Sequence, residues 1–303
     1  MHDLIIIGGG PAGVASAIYS VRKGLDVLMV TKEFGGQSIV SDDIQNWIGE
    51  KHISGVELAE KFESHVKSYD LGIQEGSKVV DVRRQGSNFE VEDEKGELYE
   101  ARAVMIATGG RRRRLKIPGE DDFEGKGVVY CSTCDAPLFD GKRVVVVGGG
   151  NAGVEAVIDL LPYADKIYLL EKTNKLNADE ESKNRILHND KVEVILNSEP
   201  KKIKGDKMVD ELVYEKEGEE RVLNIDGVFV EVGSVPNSGI VEGLVDLDKW
   251  GQIKIDSKYG TTSEKGVFAA GDVTDDPYKQ NNIAAGDGVK AALSAYSYLQ
   301  DLE

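Results

Sequence analysis

One order of apolar and polar positions occurs twice in this 303-residue chain. Residues 4–18 read LIIIGGGPAGVASAI, and residues 144–158 read VVVVGGGNAGVEAVI. Four unbroken apolar positions predict a strand buried on both faces, as in a parallel sheet. The glycines predict a tight turn, and the small and apolar residues after them predict a helix. Three more apolar runs stop at or near glycine: AVMIATGG (103–110), GVFVEVGSVPN (227–237) and GVFAAGDV (266–273). They read as strands leaving such units, and NNIAAGDGVKAALSAYSYL (281–299) reads as a helix. The predicted fold class is α/β, with two Rossmann-like three-layer domains. Taken alone, the residues place the two domains one after the other.

Each turn carries GxGxxG, as Gly8, Gly10, Gly13 and again as Gly148, Gly150, Gly153. The first glycine makes the tight turn and the second lets backbone approach a pyrophosphate. The third lets helix and strand pack closely, and the helix N-terminus favours the anion. Two copies, each between an apolar strand and a helix, predict two bound dinucleotides. In an oxidoreductase that pairing means a flavin and a nicotinamide, a donor and an acceptor of hydride. Gly286 and Gly288 inside the last predicted helix each cost about 1 kcal/mol against Ala. They read either as a tight packing contact or as close approach to a flavin.

Charge and cysteine usage narrow the partners. The net charge is -17, so phosphate backbones and anionic lipid are poor partners. No apolar run approaches the roughly 18 residues of a membrane span. The start MHDLIIIGGG shows no basic leader or cleavage site, so a cytoplasmic chain without a signal peptide is expected. The two cysteines, Cys131 and Cys134 in CSTCD, point to redox or metal chemistry. A structural zinc site wants four Cys or His ligands, and His2, His52, His65 and His188 have no ligand spacing. Two structural thiols remain the plain alternative.

Together these residues resemble the low-molecular-weight thioredoxin reductase family. The resemblance rests on GGGPAG, GGQ (35–37), QNWIG (45–49), ATGG (107–110), CSTCDAPLFDGKRVVVVGGGNAGVEA and GVFAAGDVTDDPYKQ. LLEKTNKLNAD (169–179) and DPYKQ (276–280) are similar to the flavoprotein subunit of alkyl hydroperoxide reductase. That subunit carries a further thioredoxin-like domain ahead of the first glycine strand, where this chain begins; the expectation is a separate protein as electron acceptor. The resemblance implies a discontinuous FAD domain, residues 1–112 and 240–303, with an NAD(P)H domain, residues 113–239, inserted into it. It implies FAD held by Gly8, Gly10, Gly13, Gly36, Gln37, Asn46, Asp272, Lys279 and Gln280. It also implies a nicotinamide site at Gly148, Gly150, Asn151, Gly153, Glu171 and Lys172. The residue matching Cys134 faces the flavin, the one matching Cys131 attacks the partner disulfide, and Asp135 exchanges protons. The sequence is equally compatible with swapped cysteine roles, and with Asp135 as a helix N-cap before APLF. A homodimer, and rotation of the inserted domain about 109–118 and 234–239, are implied in the same way.

Two local features depart from common patterns. No acid ends the second strand, DVLMVTKE, where Thr31 stands and Glu33 is the nearest carboxylate; small thioredoxin reductases also lack that acid. NADPH-using relatives carry His-Arg-Arg after the second strand of the inserted domain, where this chain has Glu171, Lys172 and Thr173, with Asn177 in place of a later Arg. Glu171 lies 18 residues after Gly153, near the ~20 expected of a carboxylate reading the ribose 2′-OH of NAD. A solvated strand-end acid is the alternative. The run RRRR at 111–114 reads as a solvated basic linker, with phosphate binding as the rival.

The leading expectation is an NADH-preferring disulfide reductase acting on a thioredoxin or glutaredoxin-like protein. The rival enzyme feeds a peroxiredoxin system. A non-catalytic dinucleotide sensor would have no need of the dithiol. Glutathione-reductase-type enzymes end in a domain with a catalytic His, and no His follows His188.

Overall fold

The computed structural model describes residues 1–41 and 43–302. The chain forms two units, one from Met1–Arg111 with Val235–Glu303 and the other from Arg112–Ser234. The first begins with β1 (His2–Gly9), α1 (Pro11–Arg22), β2 (Val27–Phe34), α2 (Gly55–Lys67), β3 (Gly72–Glu75), β4 (Val79–Gln85), β5 (Asn88–Asp93) and β6 (Leu98–Ile106). The parallel order β3-β2-β1-β6 forms the sheet, and β4 and β5 continue from β6 as an antiparallel meander. The unbroken apolar run of β1 serves both faces. Leu4 and Ile6 join the core with α1 and α2, whereas Ile5 and Ile7 join the core with the meander. Helix α2 opens with a capping box, Glu57 N–H donating to Ser54 Oγ at 3.2 Å and Ser54 N–H to Glu57 Oε2 at 2.9 Å.

β7 (Gly110–Arg112) carries the chain from the first unit into the second. The second unit contains β8 (Val128–Val129), α3 (Ser132–Asp135), β9 (Arg143–Val147), α4 (Asn151–Leu160), β10 (Lys166–Leu170), α5 (Glu180–Leu187) and β11 (Val192–Ile195). It continues with β12 (Ser198–Gly205), β13 (Val209–Lys216), β14 (Glu219–Asn224) and β15 (Gly227–Val230). Its parallel sheet has the order β11-β10-β9-β15-β8, and β12-β13-β14 forms a separate meander. Val144 and Val146 face α4, while Val145 and Val147 face the core that holds the meander residues Leu212 and Tyr214. The returning strand β16 (Ser234–Pro236) pairs with β7.

The first unit is completed only after this return. β17 (Val267–Ala269) pairs in parallel with the C-terminal part of β6, and α6 (Asn281–Gln300) packs on α1. The two compact units are therefore not consecutive in the chain: the second is flanked by the two segments of the first. An apolar strand reads the same whichever neighbour completes its sheet, so the residues alone could not show this. Of the four arginines, Arg111, Arg112 and Arg113 are exposed, as a solvated linker requires. Arg114 departs from that reading; it is half-buried, bonded to Glu124 at 2.8 Å and lying over the Tyr130 ring.

The two helical glycines separate cleanly. A Cβ on Gly288 would overlap the backbone oxygen of Ala12, and Ser16 Oγ donates to Gly288 O at 3.0 Å. The packing reading holds there, between two helices rather than helix and sheet. Gly286 is exposed, and nothing lies within 4 Å of its Cβ direction. We expect Gly288→Ala to destabilise the protein by at least ~2 kcal/mol through overpacking. Gly286→Ala should stabilise it by up to ~1 kcal/mol. Thermal denaturation of both variants checks the pair.

Candidate active site: two glycine turns and a dithiol

In the first unit, Gly8 has a φ of 117°, and α1 starts at Pro11 with no capping side chain. Its first-turn N–H groups are thus available to an anion. A cleft of about 330 Å³ opens over this turn, walled by Gly8, Gly10, Thr31, Glu33, Gly36, Gln37 and Asp272, with Ile7, Val30 and Ala107 among its apolar surfaces. A Cβ on Gly10 would stand 3.9 Å from Gly36 Cα, across the gap between the two cleft-lining glycines. Gln37 Nε2 is fixed by Gly110 O at 2.7 Å. Thr31 is buried and donates to Glu33 O at 2.7 Å. Gly13 lies behind the turn, where a Cβ would overlap Gly8 O. Asn46 and Gln280 are not part of the cleft wall; they meet each other, Asn46 Nδ2 donating to Gln280 Oε1 at 3.2 Å. Lys279 is also off the wall and donates to Thr274 O at 2.6 Å. Burial lowers the Lys279 pKa, opposed by the charge of Asp272 and its acidic neighbours.

In the second unit the turn is repeated. Gly148 has a φ of 118°, and α4 starts at Asn151, again without a capping side chain. A Cβ on Gly153 would overlap Gly148 O, while Gly150 faces open space. Glu171, just past β10, is buried rather than solvated. One of its carboxylate oxygens accepts from Gly149 N–H at 2.7 Å, the other from Thr173 N–H at 2.8 Å. Asn151 Oδ1 accepts from Asp179 N–H at 3.1 Å, and Lys172 is exposed. Asn177 N–H donates to Gly149 O at 2.7 Å, closing the segment over the turn.

Cys131 and Cys134 form a disulfide, with Cα atoms 5.3 Å apart. Cys131 is the N-cap of α3, and its Sγ accepts from Cys134 N–H at 3.3 Å. Asp159 of α4 accepts from Ser132 Oγ at 2.9 Å and from Thr133 Oγ1 at 3.3 Å, tying the CxxC turn to the helix of the second glycine fingerprint. Asp135 makes no capping hydrogen bond to the following turn. Burial raises its pKa to about 6, against the pull of Arg112.

The sequence pattern of the family described as pyridine nucleotide-disulphide oxidoreductase matches residues 2–288. The chain belongs to that family. The thioredoxin reductase of Streptococcus pyogenes MGAS5005 has a similar structure, with a TM-score of 0.93, 36% identity and 99% of each chain covered. That of Giardia duodenalis superposes with the same TM-score at 32% identity, again over 99% of each chain. A subunit of the alkyl hydroperoxide reductase of Escherichia coli (strain K12) is 42% identical over 304 residues, 98% of this chain and 58% of that protein. The NADH dehydrogenase of Bacillus subtilis (strain 168) is 42% identical over 299 residues, with the same shares. The chain thus spans a little over half the length of these curated relatives.

Membership of the pyridine nucleotide-disulphide oxidoreductases implies FAD and a nicotinamide nucleotide. The first cleft fits an FAD: an uncapped helix N-terminus, glycines at close approach, an apolar wall and the Asp272 carboxylate stand together. Sequence reasoning missed Glu231, half-buried directly after β15, and Asp159 beside the CxxC turn. The signal at Glu231 was a charge inside the apolar run GVFVEV, and Asp159 gave none.

Asp135 generates a pH prediction. Its folded pKa of about 6 lies above its ordinary value of 3.8, so the folded state binds the proton more tightly. Unfolding free energy should therefore fall as pH rises from about 4 to about 6, by on the order of 2 kcal/mol. Asp135→Asn should lack this share of the fall, the part from Glu231 remaining, and its advantage over wild type should grow across this window in chemical denaturation.

Proposed function

We propose that this chain is a flavoprotein disulfide reductase. It takes electrons from a reduced nicotinamide, NADH in preference to NADPH, and delivers them through Cys131 and Cys134 to a thioredoxin or glutaredoxin-like protein. The carrying observation is the CxxC disulfide on the unit that also holds the second glycine turn and the buried Glu171. In this reading the first unit binds FAD at Gly8, Gly10, Gly13, Gly36, Gln37 and Asp272, flanked by Asn46, Lys279 and Gln280. When bound, FAD supplies two-electron exchange between nicotinamide and a disulfide. The second unit binds the nicotinamide nucleotide at Gly148, Gly150, Asn151 and Gly153, with Lys172 at the rim. A cytoplasmic homodimer belongs to the same proposal.

The chain's own chemistry follows from thiol exchange. The reduced Cys131 thiolate attacks one sulfur of the acceptor disulfide and expels the other as a thiolate. Cys134 then attacks Cys131 Sγ, restoring the Cys131–Cys134 bond and releasing the second acceptor sulfur. Two electrons and two protons pass to the acceptor, and Asp135, with its raised proton affinity, holds one of those protons in transit. The likeness to a protein named as part of an alkyl hydroperoxide reductase favours one second reading, a peroxiredoxin system as the acceptor.

Replacing both Cys131 and Cys134 by Ser should preserve reduction of bound FAD by NADH and bring disulfide reduction to background. Stopped-flow absorbance and turnover with a panel of thioredoxins, glutaredoxins and peroxiredoxin carriers check both halves. Undiminished turnover by the double variant contradicts the proposal, and the panel separates the two acceptor classes.

Cofactor choice is tested at Glu171. An ionised carboxylate has room for about four acceptor contacts, and two are used by Gly149 and Thr173. The remaining two suit ribose hydroxyls. A 2′-phosphate about 4 Å away would be repelled by on the order of 4 kcal/mol at an effective dielectric near 20, less after screening by Lys172 and Lys175. We expect kcat/KM to favour NADH by about 10- to 100-fold, and Glu171→Arg to narrow that ratio. Equal efficiency with both nucleotides would show that Glu171 does not select the ribose.

A further inference from the structure

We propose that Glu231 is a positioning residue for the dithiol: its carboxyl sets how much thiolate the reduced Cys131–Cys134 pair presents near neutral pH. This rests on the reading of that pair as the working group. Glu231 is pinned by its backbone. Its N–H donates to Val147 O at 2.9 Å, and a Cβ on Gly148 would overlap its carbonyl oxygen. The residue therefore stands where β15 ends beside the glycine turn. β15 pairs in parallel with β8, Val228 opposite Val128 and Phe229 opposite Val129, so Glu231 and Cys131 leave neighbouring strand ends two residues beyond the last pair. The hydroxyl of Ser132, the residue that follows Cys131, is held by Asp159 at 2.9 Å. Asp159 thus holds the CxxC turn from α4, while Glu231 stands at the end of the strand beside it.

The charges facing Glu231 come from three elements: Arg112 of β7, Asp159 of α4 and Asp135 of α3. Burial pushes the Glu231 carboxyl up to about 7; the two aspartates act in the same direction, while Arg112 and the Ser132 N–H oppose them. Its charge therefore changes where thiols begin to ionise. Below that point it is a neutral neighbour of the dithiol. Above it, the added anion disfavours a second negative charge on sulfur and raises the thiol pKa. The thiolate is the nucleophile, so the gain in nucleophile with rising pH is blunted by the carboxylate forming beside it.

The test uses the whole 303-residue chain, reduced with dithiothreitol, freed of reductant, and alkylated with iodoacetamide from pH 5.5 to 9.5. It needs neither nicotinamide nor an acceptor protein, so its result stands whether or not the proposed turnover is found. Wild type should show an inflection near pH 7 in addition to the thiol titration itself. Glu231→Gln keeps the shape of the side chain and one acceptor oxygen but cannot ionise. It should lose the inflection and react about 3- to 10-fold faster at pH 7.5. Glu231→Ala, which removes the acceptor as well, should shift in the same direction. A Glu231→Gln profile that coincides with wild type, or moves toward slower reaction, overturns the proposal, and a change confined to Glu231→Ala shows a purely structural role. If Glu231→Gln does not fold, the wild-type profile decides, since absence of the inflection overturns the proposal by itself.

Discussion

The carbonyl oxygens of Gly8 and Gly148 occupy the space that a side chain on Gly13 or Gly153 would need. This pair of close approaches holds α1 and α4 against the strands they follow. Both helices begin without a capping side chain, so their first-turn N–H groups stand open at the carboxyl ends of buried parallel strands. In an open α/β sheet that edge is where ligands bind. The cleft of the first unit lies at that edge, with Asp272 brought to it after the chain returns through β17.

In the second unit the same edge gathers the chemistry. The parallel order β10-β9-β15-β8 places four strand ends side by side. Glu171 follows β10, the glycine turn follows β9, Glu231 follows β15, and Cys131 comes two residues after β8. Hydrogen bonds then knit the neighbours: Glu171 to Gly149, and Asp159 of α4 to Ser132 and Thr133. The residues proposed to select the nucleotide and to exchange thiols thus stand on adjacent ends of one sheet, while the meander β12-β13-β14 adds its buried side chains to one face.

Much of this was legible in the residues because the glycine turns are local. Strand, turn and helix lie within fifteen consecutive positions, and every requirement is met by residue types in that window. The Cys131–Cys134 pair was legible for the same reason. What escaped reading depended on partners distant in sequence. The completion of the first sheet by β17, 161 residues after β6 ends (267 less 106), has no local mark. Arg114 looks like any member of a basic run until Glu124 and Tyr130 are folded onto it. Glu171 was found through its spacing, but its burial was not, since that requires Gly149 and Leu176 to close over it. Asn46, Lys279 and Gln280 came from resemblance alone, and they stand beside the cleft wall rather than in it.

The central claim is that the Cys131–Cys134 disulfide exchanges electrons with the nicotinamide within one chain. Anaerobic titration of the FAD-loaded protein with NADH, followed by counting free thiols, tests it most directly. The account predicts two equivalents of NADH consumed per chain, one for the flavin and one for the disulfide, with two thiols appearing. Consumption of a single equivalent with the disulfide intact would contradict it.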